Sequence, residues 1–137
     1  MALTPINKVL KQKGIEYFSF SVINKNNVPV ACCNNRDWQS YYYNKYTNKT
    51  PPVKKYIIEA YSEMIVWDQL ELDKEAMEYI SLRNSVVKIS SVVTMIKKCN
   101  YIITATFGSV KNSNYFLNFI KNDKDLLYWV RNQVLSL

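Results

Sequence analysis

The segment KISSVVTMIKKCNYIITATF, residues 88–107, decides the fold. It contains two runs of alternating β-branched and apolar residues, joined by the polar residues KKCN, and therefore predicts a β-hairpin. Because the turn contains no glycine, Asn100 is the best candidate for a left-handed backbone. Each strand has one apolar face, formed by Ile89, Val93 and Met95 in the first strand and by Tyr101, Ile103, Ala105 and Phe107 in the second.

Helical patterns flank this hairpin on both sides. Before it, MIVWD (64–68) predicts a short strand, and Asp73 caps a helix over residues 73–83 that turns Ala76, Met77 and Ile80 inward. After it, the C-terminal residues are helical, with a break at Asn122 and a new cap at Asp123. The inward stripe of the first part is Phe116, Phe119 and Ile120, and that of the second is Leu127, Val130 and Val134.

The N-terminal third begins with a helix and a second hairpin. Thr4 and Pro5 start a helix that Gly14 ends, and the alternating segments IEYFSFSVI (15–23) and VPVACC (28–33) are separated by NKNN (24–27). Asn34 or Asn35 then caps an aromatic helix from about Arg36 to Tyr46. Thr50, Pro51 and Pro52 start the next helix.

This order of elements predicts one α+β domain over residues 1–137. We expect an α-β-α sandwich, similar to PAS and GAF sensor domains, in which an antiparallel sheet of about five strands carries helices on both faces. Hydrophobic residues make up 48% of the chain, which is enough for such a core.

The composition also limits the cellular setting. No apolar run approaches a membrane span and the N-terminus lacks a secretory signal, so we expect a cytoplasmic protein without membrane contact. Three cysteines in no framework spacing argue against structural disulfides. The net charge of +7 is spread over most of the chain, apart from an acidic segment at 59–78, as on an ordinary solvated surface.

Most catalytic and cofactor-binding motifs cannot be written with these residues. The chain has no histidine, which removes the common nucleophile pairs and every histidine-containing metal site. Its two glycines, Gly14 and Gly108, cannot form a phosphate-binding loop. The acidic residues at 59–78 fit salt bridges better than an acid/base pair. We therefore expect no enzyme, no cofactor and no metal site.

The aromatic stretch WQSYYYNKYTNKTPP (38–52) is the remaining functional signal. Helical spacing places Trp38, Tyr42 and Lys45 or Tyr46 on one face with Tyr41 next to it, and we expect the rings at 38 and 42 to face inward and those at 41 and 43 to point outward. Inward rings would form the wall of a small-molecule pocket, whereas outward rings would form a contact face for a protein partner. A third reading stacks nucleic-acid bases on Tyr41 and Tyr43, with phosphates held by Lys45, Lys49, Lys54 and Lys55.

Three motifs in order carry a family resemblance. Trp38 and Tyr42 form W-x-x-x-Y ahead of Pro52, IVWD follows at 65–68, and KISSVVT (88–94) opens the hairpin. This pattern resembles the N-terminal autoinducer-binding domain of LuxR-type quorum-sensing regulators of bacteria. In that family the helix carries W-x-x-x-Y, a D-P dipeptide and a V-W-D strand follow, and a G-I-x-S-G-V-T-like segment opens the central hairpin.

The resemblance implies a role for each matching position. Trp38 would donate its indole N–H to the ligand head group, Tyr42 would be a second wall residue, and Trp67 would pack over the head group. The hairpin residues implied to line the space for an acyl tail are Val93, Met95, Ile103, Ala105 and Phe107.

The departures from the family pattern fall in the same site. Pro51 stands where the family has the Asp that accepts the ligand amide N–H, and Lys88 and Val92 replace the two glycines of the hairpin segment. Loss of a charged acceptor weakens binding by roughly ten- to a hundredfold. Val92 also fills space near the sheet. We therefore expect a ligand other than a standard acyl-homoserine lactone, or a domain that has kept the fold without its ligand.

The resemblance also bears on partners. LuxR-type regulators place a helix-turn-helix after the sensor, and we expect none within residues 1–137, hence no direct DNA contact. We expect a small apolar or acylated signal molecule as ligand, and a homodimer or a pairing with a LuxR-type regulator through the face around Trp129. The alternative is a ligand-free protein-interaction module with the same fold.

Overall fold

The computed structural model describes residues 3–23, 30–46 and 49–135. The described residues form the predicted helices and the predicted hairpins. A 3-10 turn (Trp67–Gln69) follows the third strand. The predicted break at 24–27 lies outside the described residues. The helices are α1 (Leu3–Gln12), α2 (Arg36–Tyr46), α3 (Lys54–Glu59), α4 (Lys74–Val87) and α5 (Ser113–Leu135); the strands are β1 (Tyr17–Ile23), β2 (Val30–Cys33), β3 (Met64–Val66), β4 (Ser91–Lys98) and β5 (Ile102–Ser109).

The strands form one antiparallel sheet in the order β2-β1-β5-β4-β3. The hairpin that opened the sequence analysis lies at its centre, with Thr94 opposite Thr106 and Val93 opposite Phe107. The predicted α+β class and five-stranded antiparallel sheet are confirmed. The turn closes with a hydrogen bond of 2.9 Å from the Cys99 N–H to the Tyr101 carbonyl.

The prediction for Asn100 is wrong. Among the described residues other than glycine, Lys88 alone has a positive φ, at 64°. It ends α4, and its N–H donates to the Asn84 carbonyl. The left-handed conformation is therefore at Lys88, where the chain leaves α4 for β4. The turn between β4 and β5 closes without a left-handed residue.

The two faces of the sheet support two separate cores. On one face, which we call the α1/α5 face, α1 and α5 cover a buried cluster that includes Phe18 and Phe107. On the other, the α2–α4 face, helices α2, α3 and α4 cover Tyr17, Trp67 and Val92. The helices therefore lie on both faces, as the sandwich prediction required.

Side-chain caps start the helices around the second core. The Asn35 Oδ1 accepts the N–H of Trp38 at 2.9 Å, and the Asp73 Oδ1 accepts the N–H of Ala76 at 2.8 Å, which confirms both predicted caps. Helix α4 runs four residues beyond its predicted end at residue 83, to Val87. It buries Tyr79 and Arg83, whereas Met77, which was predicted to point inward, is exposed.

Helix α5 is broken where the sequence indicated. Asp123 has φ −138° and ψ 36°, outside the helical region. On either side of this break, Phe116, Leu127 and Val130 are buried against the sheet, and Trp129 is 46% exposed. The side chain of Val134 is not among those described. No helix in the described ranges is long and apolar enough to cross a bilayer.

Gly108 permits a close approach between β5 and β1. A Cβ at this position would lie 2.5 Å from the Ile89 Cδ1 and 3.1 Å from the Tyr17 Cβ. A side chain at this position would therefore require Ile89 to move and Tyr17 to give by a few tenths of an ångström.

The left-handed conformation of Lys88 predicts a stabilising substitution. Because a residue with a Cβ is disfavoured in this region, Lys88→Gly is expected to raise the free energy of unfolding by about 0.5–1 kcal/mol. Chemical denaturation measures the change. Lys88→Ala is the matched control: it removes the same side chain, keeps the Cβ, and is expected to give no such gain. Equal effects of the two variants would contradict the backbone assignment.

Candidate functional site

A cavity lies between the α2–α4 face and its covering helices. The space between the lining residues, counted together with the solvent at its open mouth, is about 680 Å³. The lining residues come from the sheet (Tyr17, Ser19, Ser21, Ile23, Ala31, Cys32, Cys33, Thr94, Thr104, Thr106) and from the helices and loops (Trp38, Gln39, Tyr42, Pro51, Val53, Lys54, Ile57, Trp67, Tyr79, Arg83).

Aromatic rings from α2 and α4 form one wall of this cavity. Trp38 is 3% exposed, and its ring meets the edge of Tyr79 with centroids 5.4 Å apart. Tyr42 lies 6.5 Å from Trp38, and Tyr41 stacks on Trp38 at 5.4 Å. Tyr43 is exposed, and its hydroxyl donates to the Ala31 carbonyl. The structure therefore brings Trp38 and Tyr42 to the cavity as the helical spacing indicated.

The two cavity tryptophans differ in their hydrogen bonding. The Trp67 indole N–H donates to the Thr94 Oγ1 at 2.8 Å. No hydrogen bond joins the Trp38 indole N–H to another described residue, and this nitrogen is not among the buried unpartnered side-chain atoms. Because Trp38 lines the cavity, its N–H is a donor available to a ligand.

Hydroxyl groups form the floor of the cavity. Thr94 and Thr106 share a hydrogen bond of 2.8 Å, and Ser21 and Thr104 share one of 2.6 Å. These side chains alternate along the strands with the apolar residues of the α1/α5 face. The sequence analysis did not select them, although the T-A-T segment of β5 showed a polar alternation within an apolar strand.

The prediction that the apolar residues of the hairpin line the cavity is wrong in its choice of face. Val93, Met95, Ala105 and Phe107 belong to the buried cluster under α1 and α5, and Ile103 shares their side of β5. The alternation of residues identified one apolar face of the hairpin. Helices α1 and α5 cover that face, so its residues form a closed core and do not line the cavity. Val92, on the opposite side of β4, is buried in the cluster of the α2–α4 face without lining the cavity.

Pro51 lines the cavity and is buried. Its ring offers no hydrogen-bonding group, so this position gives the cavity an apolar wall. Among the described residues of the lining, the charged side chains are those of Lys54 and Arg83, and none is acidic.

Arg83 is a cavity residue that the sequence analysis missed. It is 4% exposed, and its Nε and Nη2 atoms have no hydrogen-bond partner. Its guanidinium carbon lies 5.9 Å from the centre of the Tyr79 ring. Helical spacing from Ala76 and Tyr79 would have placed Arg83 on the inward face, but a charged residue in that position is normally read as solvated.

The remaining titratable groups of the cavity are held neutral. Burial raises the pKa of Tyr42 to about 12, and burial is also the main cause that raises the pKa of Tyr17, Tyr79 and Cys33. At physiological pH these hydroxyl and thiol groups are uncharged. Their neutrality leaves hydrogen bonding, aromatic packing and the charges of Lys54 and Arg83 as the means of recognition. The described residues contain no group of three or more potential metal ligands.

Comparison with known proteins identifies solved structures that share this fold. No family sequence model matches the chain, and no curated protein sequence matches it. CepR2 from Burkholderia cenocepacia, an N-acylhomoserine lactone-dependent LuxR family transcription factor, has a similar structure with a TM-score of 0.69 at 11% identity, over 96% of this chain and 82% of that chain.

SdiA is a second structural neighbour. The Escherichia coli SdiA crystal structure gives a TM-score of 0.59 at 18% identity, over 80% of this chain and 48% of that chain. SdiA in complex with octanoyl-rac-glycerol gives 0.61 at 15% identity, over 99% of this chain and 57% of that chain. The chain thus spans about half the length of these two SdiA chains. It has the fold of the LuxR autoinducer-binding domain.

The hydrogen bond between Trp67 and Thr94 predicts a cost for removing its acceptor. Thr94→Val keeps the shape of the side chain but leaves the buried indole N–H without a partner, so we expect the free energy of unfolding to fall by about 1–3 kcal/mol. Thr104→Val, which leaves no indole unpartnered, is the control and should cost less. Chemical denaturation compares the two; equal costs would show that Thr94 does not hold Trp67.

Proposed function

We propose that this chain is a sensory domain that binds a small amphipathic molecule in the cavity of the α2–α4 face and acts in transcription regulation of the LuxR type. The observation that carries the proposal is the unpartnered indole N–H of Trp38 at the wall of a buried aromatic cavity. The fold supports it, because CepR2 is named as lactone-dependent and SdiA is known with octanoyl-rac-glycerol bound.

The ligand differs from a standard acyl-homoserine lactone. Pro51 replaces the family Asp at a buried position of the cavity and provides no acceptor for an amide N–H. That loss corresponds to roughly a ten- to hundredfold weaker lactone complex. Nanomolar binding of a standard lactone would contradict this part of the proposal.

The burial of α2 argues against the two alternative functions. Trp38 and Tyr46 are buried in the core of the α2–α4 face, so α2 does not present these two rings to a protein partner. Tyr41 stacks on Trp38, and its hydroxyl accepts a hydrogen bond of 3.1 Å from the Lys45 Nζ. These rings are therefore not a free platform for stacking bases.

The proposed assembly uses the other side of the molecule. Trp129 is exposed on α5, while its neighbours Leu127 and Val130 are buried against the sheet. An exposed tryptophan on a long helix is typical of a contact surface. We propose that α5 pairs with a second copy of this chain or with a LuxR-type regulator, and that DNA is contacted only by such a partner or by another domain.

Mass spectrometry of the purified protein tests ligand binding directly. Native spectra are compared with denaturing spectra, and an organic extract of the same sample identifies what is released. We expect a stoichiometric small molecule with an apolar body. A ligand-free protein that also fails to take up added acyl compounds would contradict the sensory function.

Substitution of Trp38 tests its indole as a ligand donor. Trp38→Phe keeps an aromatic ring but removes the N–H, and the loss of one neutral hydrogen bond is expected to weaken binding of octanoyl-rac-glycerol roughly three- to tenfold. Isothermal titration calorimetry measures the change. Trp129→Phe is the matched control on α5 and should leave the affinity unchanged. A loss of equal size in both variants would rule out the specific role of Trp38.

A further inference from the structure

Arg83 is a buried cation without a counter-ion. Its Nε and Nη2 atoms are buried and unpartnered, and no described carboxylate forms a salt bridge with it. A guanidinium cannot lose its proton in a protein, so the charge remains. Burial of an uncompensated charge is strongly unfavourable. Arg83 is therefore a buried positive charge that no described carboxylate neutralises.

The groups around Arg83 do not neutralise its positive charge. Tyr17 and Tyr79 interact electrostatically with its charge, but burial keeps both hydroxyls protonated. The cavity lining contains no Asp or Glu. The missing negative charge must therefore come from outside the chain.

We propose that the ligand of the cavity carries a carboxylate and that Arg83 binds it. This inference rests on the proposed sensory function and specifies the chemical class of its ligand. Arg83 lines the cavity, and its planar guanidinium has the parallel N–H donors that bind a carboxylate in pairs. Its Nε and Nη2 atoms have no partner among the described residues and are covered in this structure, so the proposal requires the side chain to turn toward the cavity when the ligand binds.

The rest of the lining favours one negative charge on an apolar body. Among the described lining residues, Lys54 is the other charged side chain, and it has an interaction partner. Most of the remaining helix-side lining is aromatic or aliphatic, including Trp38, Ile57 and Trp67, and suits an acyl chain or a ring.

Arg83 and Trp38 both lie beside Tyr79, with the Trp38 ring centre at 5.4 Å and the Arg83 guanidinium carbon at 5.9 Å from the Tyr79 ring centre. Both residues also line the cavity.

The test compares decanoate with methyl decanoate, which has the same chain without the charge. Isothermal titration calorimetry is performed on the wild type, Arg83→Met and Arg131→Met. Arg131 is the matched control, because it also has a buried Nε without a partner but does not line the cavity. We expect the wild type and Arg131→Met to prefer the acid by at least about tenfold, and Arg83→Met to lose that preference while still binding the ester.

Two further measurements separate charge recognition from a structural role. Arg83→Lys keeps the positive charge and is expected to retain a reduced preference for the acid. Ligand-free Arg83→Met is expected to unfold at a higher temperature than the wild type, because it replaces an uncompensated charge with an apolar side chain. A less stable Arg83→Met that keeps the preference for the acid would overturn the inference.

The outcomes distinguish this inference from the proposed function. Binding of the ester and the acid with equal affinity by the wild type would overturn the carboxylate assignment and leave the sensory function standing. Binding of neither compound would overturn both. Loss of acid preference in Arg131→Met as well as in Arg83→Met would show a general electrostatic effect and would also overturn the role of Arg83.

Discussion

The register between β4 and β5 is the constraint on which the rest of the structure depends. Because successive residues of a strand point to opposite faces, pairing Thr94 with Thr106 and Val93 with Phe107 sends hydroxyl groups to one side and apolar groups to the other. A slip of one residue would exchange the two faces. The register therefore determines which face is sealed by α1 and α5 and which is left to bound a cavity.

The two faces of the sheet differ in the groups that must be buried or hydrogen-bonded. The apolar side chains of the α1/α5 face are buried by α1 and α5, so this face forms a closed core. The hydroxyl face satisfies part of its hydrogen bonding internally, through Ser21 with Thr104 and through Trp67, Thr94 and Thr106. The Trp38 N–H and the Arg83 guanidinium are left without partners there. A domain with polar groups unsatisfied at one defined place is prepared for a ligand that supplies them.

Much of this architecture was readable from the sequence because it depends on local signals. The bounds of α2, the caps at Asn35 and Asp73 and the break near Asp123 all follow from local side-chain and backbone chemistry. Lys88 adopts the left-handed conformation that glycine takes most readily, at a position where the motif that the chain resembles has glycine. Strand alternation grouped Val93 with Met95 and Ala105 with Phe107 as the structure does, but its assignment of Ile89 to the face of Val93 is wrong, because Ile89 precedes β4 and is buried in the cluster of the α2–α4 face.

The assignment of the two hairpin faces to the helices could not be read in the same way. Which face receives α1 and α5 depends on the path of the whole chain, so the apolar face was placed at the cavity when it belongs to the closed core. Arg83 was missed for a related reason: it lies within the predicted helix on the side of Ala76 and Tyr79, but a charged residue at such a position is normally assigned to solvent. Both errors concern tertiary packing, and both fall at the site.

The most direct measurement of the central claim is a set of isotope-filtered nuclear Overhauser contacts between bound decanoate and a methyl-labelled protein. The account predicts contacts from the ligand chain to the methyl groups of Val53 and Ile57, which line the cavity, and none to Met95 or Ala105 on the α1/α5 face. Contacts to Met95 and Ala105 instead would show that the ligand binds between the sheet and α5, and would contradict the assignment of the two faces.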